Sequence, residues 1–256
     1  MSLTGLIPSD VSNNAAIAIC AVAFVSGTAR GFSGFGSALI FMPLASSMAA
    51  PQLVAAVLLI IDFIAALPLI PNAWKQADRK ATSVMVFGAL IGVPIGTYFL
   101  SRLDPVTTRW IISAFVFALL MLLLSGWRYR GRPNTPLTFG VGAFAGVFSG
   151  AAQVGGPPVV AYWLGSTMPG ANIRASIILY FSASTAIAVT TYLVGGILNA
   201  SVLGLALLMG PVYGLGLFIG ARLFGVADES VFRRICYALI VVAVVVSLPV
   251  LDGVIR

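Results

Sequence analysis

Apolar runs follow one another along almost the whole chain. Ten such runs lie at about 13–30, 32–48, 51–71, 82–101, 107–127, 137–149, 154–168, 174–195, 200–220 and 231–251. A helix needs about 20 apolar residues to cross a bilayer. Only 8% of the 256 residues are charged, against roughly 25% in a soluble domain. We therefore expect an all-α polytopic membrane protein, a single transmembrane domain over 1–256.

Two glycine-rich stretches interrupt this pattern, at 30–37 and at 149–158. Each stretch separates two apolar runs that are shorter than a full crossing. Glycine permits backbone angles that other residues avoid, and the consecutive prolines Pro157 and Pro158 remove two backbone donors. A straight helix through either stretch is therefore disfavoured. The sequence predicts two helical arms joined by a tight bend at each place.

The distribution of Lys and Arg tests this hairpin interpretation. If each interrupted pair returns to its starting side, the loops at 72–81, 126–136, 169–174 and 221–234 share one side with ten Lys and Arg. The other side holds Arg102, Arg109 and Arg256. If each interrupted pair of runs is instead counted as one crossing, the asymmetry in Lys and Arg between the two sides of the membrane disappears. The positive-inside rule thus places both termini outside the cytoplasm of a bacterial cell, although re-entrant and fully spanning hairpins give the same parity.

The chain also repeats itself. Three glycines recur at an offset of 119, and two glycines, an aspartate and an arginine recur at an offset of 124. The pairs are Gly27/Gly146, Gly31/Gly150 and Gly36/Gly155, then Gly92/Gly216, Gly96/Gly220, Asp104/Asp228 and Arg109/Arg233. Repeat one covers about 13–127 and repeat two about 137–251, each with one hairpin and three transmembrane helices. Since they start on opposite sides, the repeats are predicted to be inverted, as in many secondary transporters.

Asp104 and Pro105 give a local signal within this pattern. Aspartate is a favoured N-cap, and proline is favoured at the first helical position. The pair predicts a helix that begins at 105.

At the two bends the sequence resembles a known family. The string GFSGFGSALIFMPL at 31–44 is similar to the first glycine-rich signature of the TauE/SafE sulfite exporter family, also called the toluene sulfonate uptake permeases, and QVGGPP at 153–158 is similar to the second. The resemblance covers nearly the whole chain. It implies a membrane transporter of small sulfur-containing or organic anions, built from a duplicated unit.

The bends are also the candidate anion site on chemical grounds. Arms that begin near Ser37 and Pro157 would point helix N-termini, with their partial positive charge, into the membrane. We expect the substrate-binding residues to be Arg30, Ser33, Gly34, Phe35, Gly36, Ser37, Gln153, Gly155, Gly156 and Ser182. The serines and Gln153 could instead satisfy local backbone groups. The glycines could instead allow close helix packing, which is the favoured interpretation for Gly92, Gly96, Gly216 and Gly220.

Two ionisable residues stand out within the apolar runs. Arg30 is the only basic residue predicted away from a loop, and it could bind the anion, reach an interface or form a structural salt bridge. Asp62 is the only acidic residue deep in a run. It could carry a coupling proton, act as a fixed counter-ion for Arg30, or form a protonated hydrogen bond. Ser182 matches Asp62 at an offset of 120.

We therefore predict a secondary transporter in which one repeat rocks against the other around the bends, with proton coupling through Asp62. A passive anion channel is the alternative. An enzyme is disfavoured because the chain has no His, no C-x-x-C pair and one deep carboxylate; Cys20 and Cys236 suit packing. The expected partners are a small anion and the bilayer, not nucleic acid. No metal or cofactor is predicted, and homo-oligomerisation is left open.

Overall fold

The computed structural model describes residues 8, 11–34, 36–127, 129, 134–165, 168–223 and 228–252. The described residues form helices, and no strand occurs among them. In chain order the helices are α1 (Asn13–Ser33), α2 (Ser37–Ser46), α3 (Pro51–Ala66), α4 (Ile70–Gln76), α5 (Arg79–Arg102), α6 (Pro105–Leu124), α7 (Thr135–Ala152), α8 (Gly156–Trp163), α9 (Gly170–Val194), α10 (Ala200–Leu223) and α11 (Glu229–Ser247). The prediction of an all-α chain is confirmed.

Within the described part of the chain, seven helical segments are long and apolar enough to cross a membrane: α1, α3 with α4, α5, α6, α7, α9 and α10. Large apolar side chains such as Phe87, Ile91 and Phe117 are exposed on them. A solvent of lipid tails accounts for such exposure, because apolar surface is not penalised there. The prediction of a multi-pass membrane protein is confirmed.

The two arms of each predicted hairpin differ in length. α1 has 21 residues and α2 has 10. α7 has 18 residues and α8 has 8. The predicted pair of arms is therefore present at each bend, with a second arm much shorter than the first. At 1.5 Å per residue, α2 is about 15 Å long and α8 about 12 Å, roughly half of a hydrocarbon core of about 30 Å. By length, neither second arm makes a complete crossing.

The predicted start of α6 is confirmed. The Asp104 Oδ1 accepts a hydrogen bond from the Thr107 backbone N–H at 2.9 Å, and Pro105 is the first helical residue. The hydrogen bonds from Thr107 lower the pKa of the Asp104 carboxyl below its ordinary value. The charged cap therefore favours the folded state.

The chain divides into two compact units that do not coincide with the sequence repeats. The first unit contains α1, α2, α10 and α11 with most of α3 and α6. The second contains α4, α5, α7, α8 and α9 with the ends of α3 and α6. Each unit thus combines the broken hairpin of one repeat with helices of the other. The inverted relation of the repeats stays a prediction.

In the first unit, glycines bring the backbones of α1 and α10 into contact. A Cβ at Gly31 would lie 2.1 Å from the Leu217 carbonyl oxygen, and one at Gly220 would lie 2.1 Å from that of Thr28. Contacting residue numbers rise together along both helices, so the helices run parallel. Close backbone approach at small residues is a common basis of helix association in membranes.

In the second unit, α5 and α7 pack in the same way. A Cβ at Gly92 would lie 2.0 Å from the Ala143 carbonyl oxygen, and one at Gly150 would lie 2.1 Å from that of Val93. Ala143 corresponds, at the offset of 119, to the residue that Gly216 contacts in the first unit. Val93 corresponds, at the offset of 124, to the residue that Gly31 contacts there. The packing interpretation of Gly92, Gly96, Gly216 and Gly220 is confirmed. Gly31 and Gly150 have the same packing role, inside helices rather than in the bends.

A buried arginine in α6, Arg109, contradicts the expectation that Arg30 alone lies away from a loop. Arg109 lies in α6 of the first unit, and 6% of it is exposed. Its Nη1 and Nη2 donate to the two carboxylate oxygens of Asp252 at 2.6 and 2.9 Å. Nη2 also donates to the carbonyl oxygen of Ser247, the last residue of α11, at 3.0 Å. The guanidinium therefore balances both a carboxylate and a helix C-terminus, and ties the end of the described chain to α6.

Candidate functional site

The first bend consists of residues 34–36 and belongs to the first unit. Gly34 has a φ of 79° and its N–H donates to the Arg30 carbonyl oxygen at 2.7 Å, which ends α1. Gly36 has a φ of 92°. Chain neighbours aside, a Cβ at either glycine would meet no atom of the described residues within 4 Å. These two glycines are therefore required by backbone conformation and not by close packing, and they border open space.

The helix that leaves this bend is a core element with no side-chain cap. Nine of the ten residues of α2 are buried, and Gly36 at its N-cap has no side chain to accept from the first turn. Leu39 N–H donates to the Gly36 carbonyl oxygen at 3.1 Å. The amides of Ser37 and Ala38 precede that first bond, as the leading N–H groups of any helix do. The positive end of α2 thus lies beside the open space at Gly36.

Arg30 and Ser33 lie in the last turn of α1. Arg30 is half-buried there, and a cation at a helix C-terminus is favourable. The Ser33 Oγ donates to the Ala29 carbonyl oxygen at 2.7 Å, which is the local backbone bond considered as the alternative to a substrate contact. The predicted site residue Phe35 lies outside the described residues.

The second bend, residues 153–155, belongs to the second unit and has a different chemistry. Gln153 has a φ of 58° and its N–H donates to the Ser149 carbonyl oxygen at 3.0 Å. Its side-chain Nε2 donates to the same oxygen at 2.8 Å. Val154 N–H donates to the Phe148 carbonyl oxygen at 3.3 Å. The donors of Gln153 therefore close the end of α7.

Gly155 is constrained by packing. Its φ is −67°, an ordinary value that a residue with a side chain adopts without strain. A Cβ would instead lie 2.2 Å from the Ser149 Oγ and 2.4 Å from the Ala145 carbonyl oxygen. Pro157 and Pro158 carry no N–H, so in its first three positions α8 has only the Gly156 amide to offer. This bend has fewer backbone donors than the first.

Ser182 and Asp62 lie away from the bends along the sequence. The buried Ser182 donates from Oγ to the Ile178 carbonyl oxygen of its own helix at 2.9 Å, the local bond that competes with a substrate role. Asp62 is half-buried in α3, where the boundary between the two units falls. Arg30 is grouped with the first unit and Asp62 with the second, so their functional link stays a prediction.

Sequence reasoning missed the buried hydroxyls around the second bend. Tyr192 of α9 donates to the Gly150 carbonyl oxygen at 2.8 Å, and Thr97 of α5 bonds Thr191 at 3.0 Å between hydroxyl oxygens. Tyr180, also in α9, is fully buried. Nothing in the sequence near Tyr192 links it to Gly150, 42 positions earlier. Only packing of α9 on α7 brings them together.

Comparisons with known proteins show the family of this chain. A model of the family described as "Sulfite exporter TauE/SafE" matches residues 19–247. The chain is also similar to a protein of Cupriavidus necator described as "Probable sulfite/organosulfonate exporter TauE", with 25% identity over 224 residues, covering 82% of this chain and 84% of the relative. No solved structure matches the chain. The family match covers both bends and each of the helices α1 to α11 except the beginning of α1, and the chain belongs to the sulfite exporter TauE/SafE family.

Proposed function

We propose that this protein is a secondary transporter of small sulfur oxyanions, sulfite or an organosulfonate, and that the first bend binds the anion. The observation that carries the proposal is the uncapped N-terminus of α2 beside open space at Gly34 and Gly36. Membership of the exporter family supports the transport of an anion. The printed description of the similar protein supports the choice of sulfite or organosulfonate.

The chemistry of the first bend suits such an anion. A sulfonate or sulfite presents three acceptor oxygens, and the leading amides of α2 are donors at the positive end of a helix. The guanidinium of Arg30, one turn before Gly34, provides a further fork of charge-assisted donors. The two glycines leave the backbone exposed, because neither has a Cβ to cover it.

The second bend contributes less to charge recognition. Gln153 uses its amide donors on the end of α7, and two prolines follow Gly156. The main task that we propose for this bend is to fix the direction of α8. The two glycine-rich signatures, although equivalent in sequence, thus have unequal roles in binding.

Alternating access keeps the parallel helix pairs intact. α1 of repeat one is held against α10 of repeat two, and α5 of repeat one against α7 of repeat two, by contacts between backbone atoms. Rocking one sequence repeat against the other, as the sequence suggested, would shear both pairs. The rigid elements of the cycle are therefore pairs that combine helices from both repeats.

Asp62 is the proposed proton carrier. An ionisable residue within an apolar membrane helix is a functional candidate by default. Asp62→Asn mimics the protonated form, so it should retain anion exchange and lose dependence on a pH gradient. Uptake into proteoliposomes with and without an imposed pH gradient measures this. Unchanged pH-driven accumulation by Asp62→Asn would leave the residue a structural role.

The anion site is tested by Gly36→Leu with Gly196→Leu as a matched control. Both glycines have positive φ, 92° and 68°, and open space around the missing Cβ. Both substitutions therefore cost about 1–2 kcal/mol of backbone strain, but only Gly36 borders the proposed site. Uptake of radiolabelled sulfite should be abolished in Gly36→Leu and retained in Gly196→Leu. Equal uptake by the two variants would contradict the assignment of the site to the first bend.

A further inference from the structure

Two buried tyrosines of α9 hold α7 by the same kind of bond. Tyr180 donates from its hydroxyl to the Gly142 carbonyl oxygen at 3.0 Å, and Tyr192 donates to the Gly150 carbonyl oxygen at 2.8 Å. Both side chains are fully buried. The two bonds differ in place: Gly142 is in the first half of α7, whereas Gly150 is in its last turn, immediately before the second bend.

The Gly150 carbonyl oxygen needs a hydrogen-bond donor from outside its own helix. In a continuing helix it would accept from the N–H of Val154, four residues later. Here Val154 N–H donates to the Phe148 carbonyl oxygen instead. Gly150 is buried, and an unsatisfied buried carbonyl costs free energy. Tyr192 supplies the missing donor, so α9 closes the end of α7.

Tyr192 also holds the residue that makes the turn. Its hydroxyl oxygen accepts from Gln153 Nε2 at 3.4 Å, while the same amide nitrogen donates to the Ser149 carbonyl oxygen at 2.8 Å. Gln153 has a positive φ of 58°, which is unusual for a residue with a side chain. Such a conformation persists where its surroundings fix it. The tyrosine hydroxyl is therefore bonded to both the end of α7 and the side chain at the bend.

A hydrogen bond between two threonine hydroxyls also holds α9 near the second bend. The hydroxyls of Thr191, next to Tyr192, and Thr97 of α5 are 3.0 Å apart. Thr97 also meets α7 closely, since a Cβ at Gly150 would lie 2.9 Å from its backbone nitrogen. Helices α5, α7 and α9 are thus joined where the bend begins, and Tyr192 is presented to the bend from a fixed position.

We infer that Tyr192 is a positioning residue for transport: through the Gly150 carbonyl and Gln153 it sets the geometry of the second bend. This inference rests on the proposed function, because it assumes that the second bend acts in anion transport. Tyr192 itself touches the backbone and Gln153, and it acts on the bend through them.

The test compares Tyr192→Phe with Tyr180→Phe. Each variant loses one hydroxyl and its bond to an α7 carbonyl. Tyr192→Phe also loses the Gln153 contact and leaves the buried Gly150 carbonyl unsatisfied, so it should lower the thermal unfolding midpoint more than Tyr180→Phe does. Only Tyr192→Phe should change transport, with KM for radiolabelled sulfite raised about three- to tenfold, the effect of losing one neutral hydrogen bond. Tyr180→Phe should keep KM within about twofold of the wild type.

A double-variant cycle with Gln153→Asn separates positioning from packing. Asparagine tolerates the left-handed backbone conformation, but its shorter side chain does not reach Tyr192. If the tyrosine acts through Gln153, adding Tyr192→Phe to Gln153→Asn should raise KM by less than it does in the wild type. Equal KM values for Tyr192→Phe and Tyr180→Phe, or full additivity with Gln153→Asn, would overturn the inference. Absence of uptake by the wild type would instead refute the proposed function, and the positioning role with it.

Discussion

Replacing Gly150 by alanine should separate α7 from α5. The new Cβ would lie 2.1 Å from the Val93 carbonyl oxygen and 2.9 Å from the Thr97 nitrogen. Both are backbone atoms, so no side chain can rotate away. An ordinary contact begins at 3.4 Å, so the two backbones must move apart by about 1.3 Å, which weakens every dispersion contact along the pair.

The expected cost follows from this displacement. Overpacking of a tight core typically lowers the free energy of unfolding by about 1–3 kcal/mol. A clash between backbones should lie at the upper end, at about 3 kcal/mol. Alanine regains up to about 1 kcal/mol of helix propensity, which leaves a net loss of about 2 kcal/mol. Gly140→Ala in the same helix meets nothing within 4 Å. It should therefore show only the propensity gain of about 1 kcal/mol.

Thermal unfolding of the purified protein in detergent measures the difference. About 3 kcal/mol between the two variants corresponds to a gap of roughly 6–12 °C in Tm. The same contrast should appear in the first unit between Gly31→Ala, whose Cβ would lie 2.1 Å from the Leu217 carbonyl oxygen, and Gly214→Ala, which meets nothing within 4 Å. Equal midpoints for Gly150→Ala and Gly140→Ala would refute the claim that backbone contact holds these helices together.

Three further predictions concern the units separately. Asp252→Ala leaves Arg109 buried beside a helix end without its carboxylate. It should lower the free energy of unfolding in detergent by about 2–3 kcal/mol, less than the loss of a fully buried pair, because Asp252 is partly exposed. No change in Tm would contradict this. Because the pKa of Asp104 is lowered in the folded state, its contribution to stability is present near neutral pH and is lost as the pH falls through the folded-state pKa. Asp104→Asn should therefore show a smaller fall of Tm below about pH 4 than the wild type does. The same fall of Tm in both proteins would argue against this. A disulfide between Thr97→Cys and Thr191→Cys, whose hydroxyls are 3.0 Å apart, should leave sulfite uptake intact; uptake that returns only on reduction would show that α5 and α9 must move apart.

Sequence patterns located the bends well because glycine and proline act locally. The breaks at 34–36 and 153–155 fall inside the predicted stretches, and α6 begins at Pro105 as the Asp104 cap indicated. The apolar runs also predicted the membrane-spanning helices, although Pro68 and Pro71 divide the run at 51–71 through a short turn at 67–69. These features depend on neighbours within a few residues, which a single sequence displays directly.

Contacts between distant segments could not be obtained in this way. Arg109 was counted as an external loop charge, because its partner Asp252 lies 143 positions later. Gly31 and Gly150 were placed at the breaks, since glycine in a helix that packs on another backbone looks the same in sequence as glycine in a turn. The offsets of 119 and 124 carried the needed information, but only the structure pairs α1 with α10 and α5 with α7. The pairing of hairpins with helices of the opposite repeat was therefore missed.

The central claim is carrier-mediated transport of a sulfur oxyanion, and counterflow tests it most directly. Proteoliposomes loaded with unlabelled sulfite are diluted into radiolabelled sulfite, and the internal label is followed with time. A carrier predicts a transient accumulation of label that saturates with sulfite concentration and that a small organosulfonate inhibits. Label entry no faster than into protein-free liposomes, or non-saturating entry accompanied by unitary currents, would contradict the account.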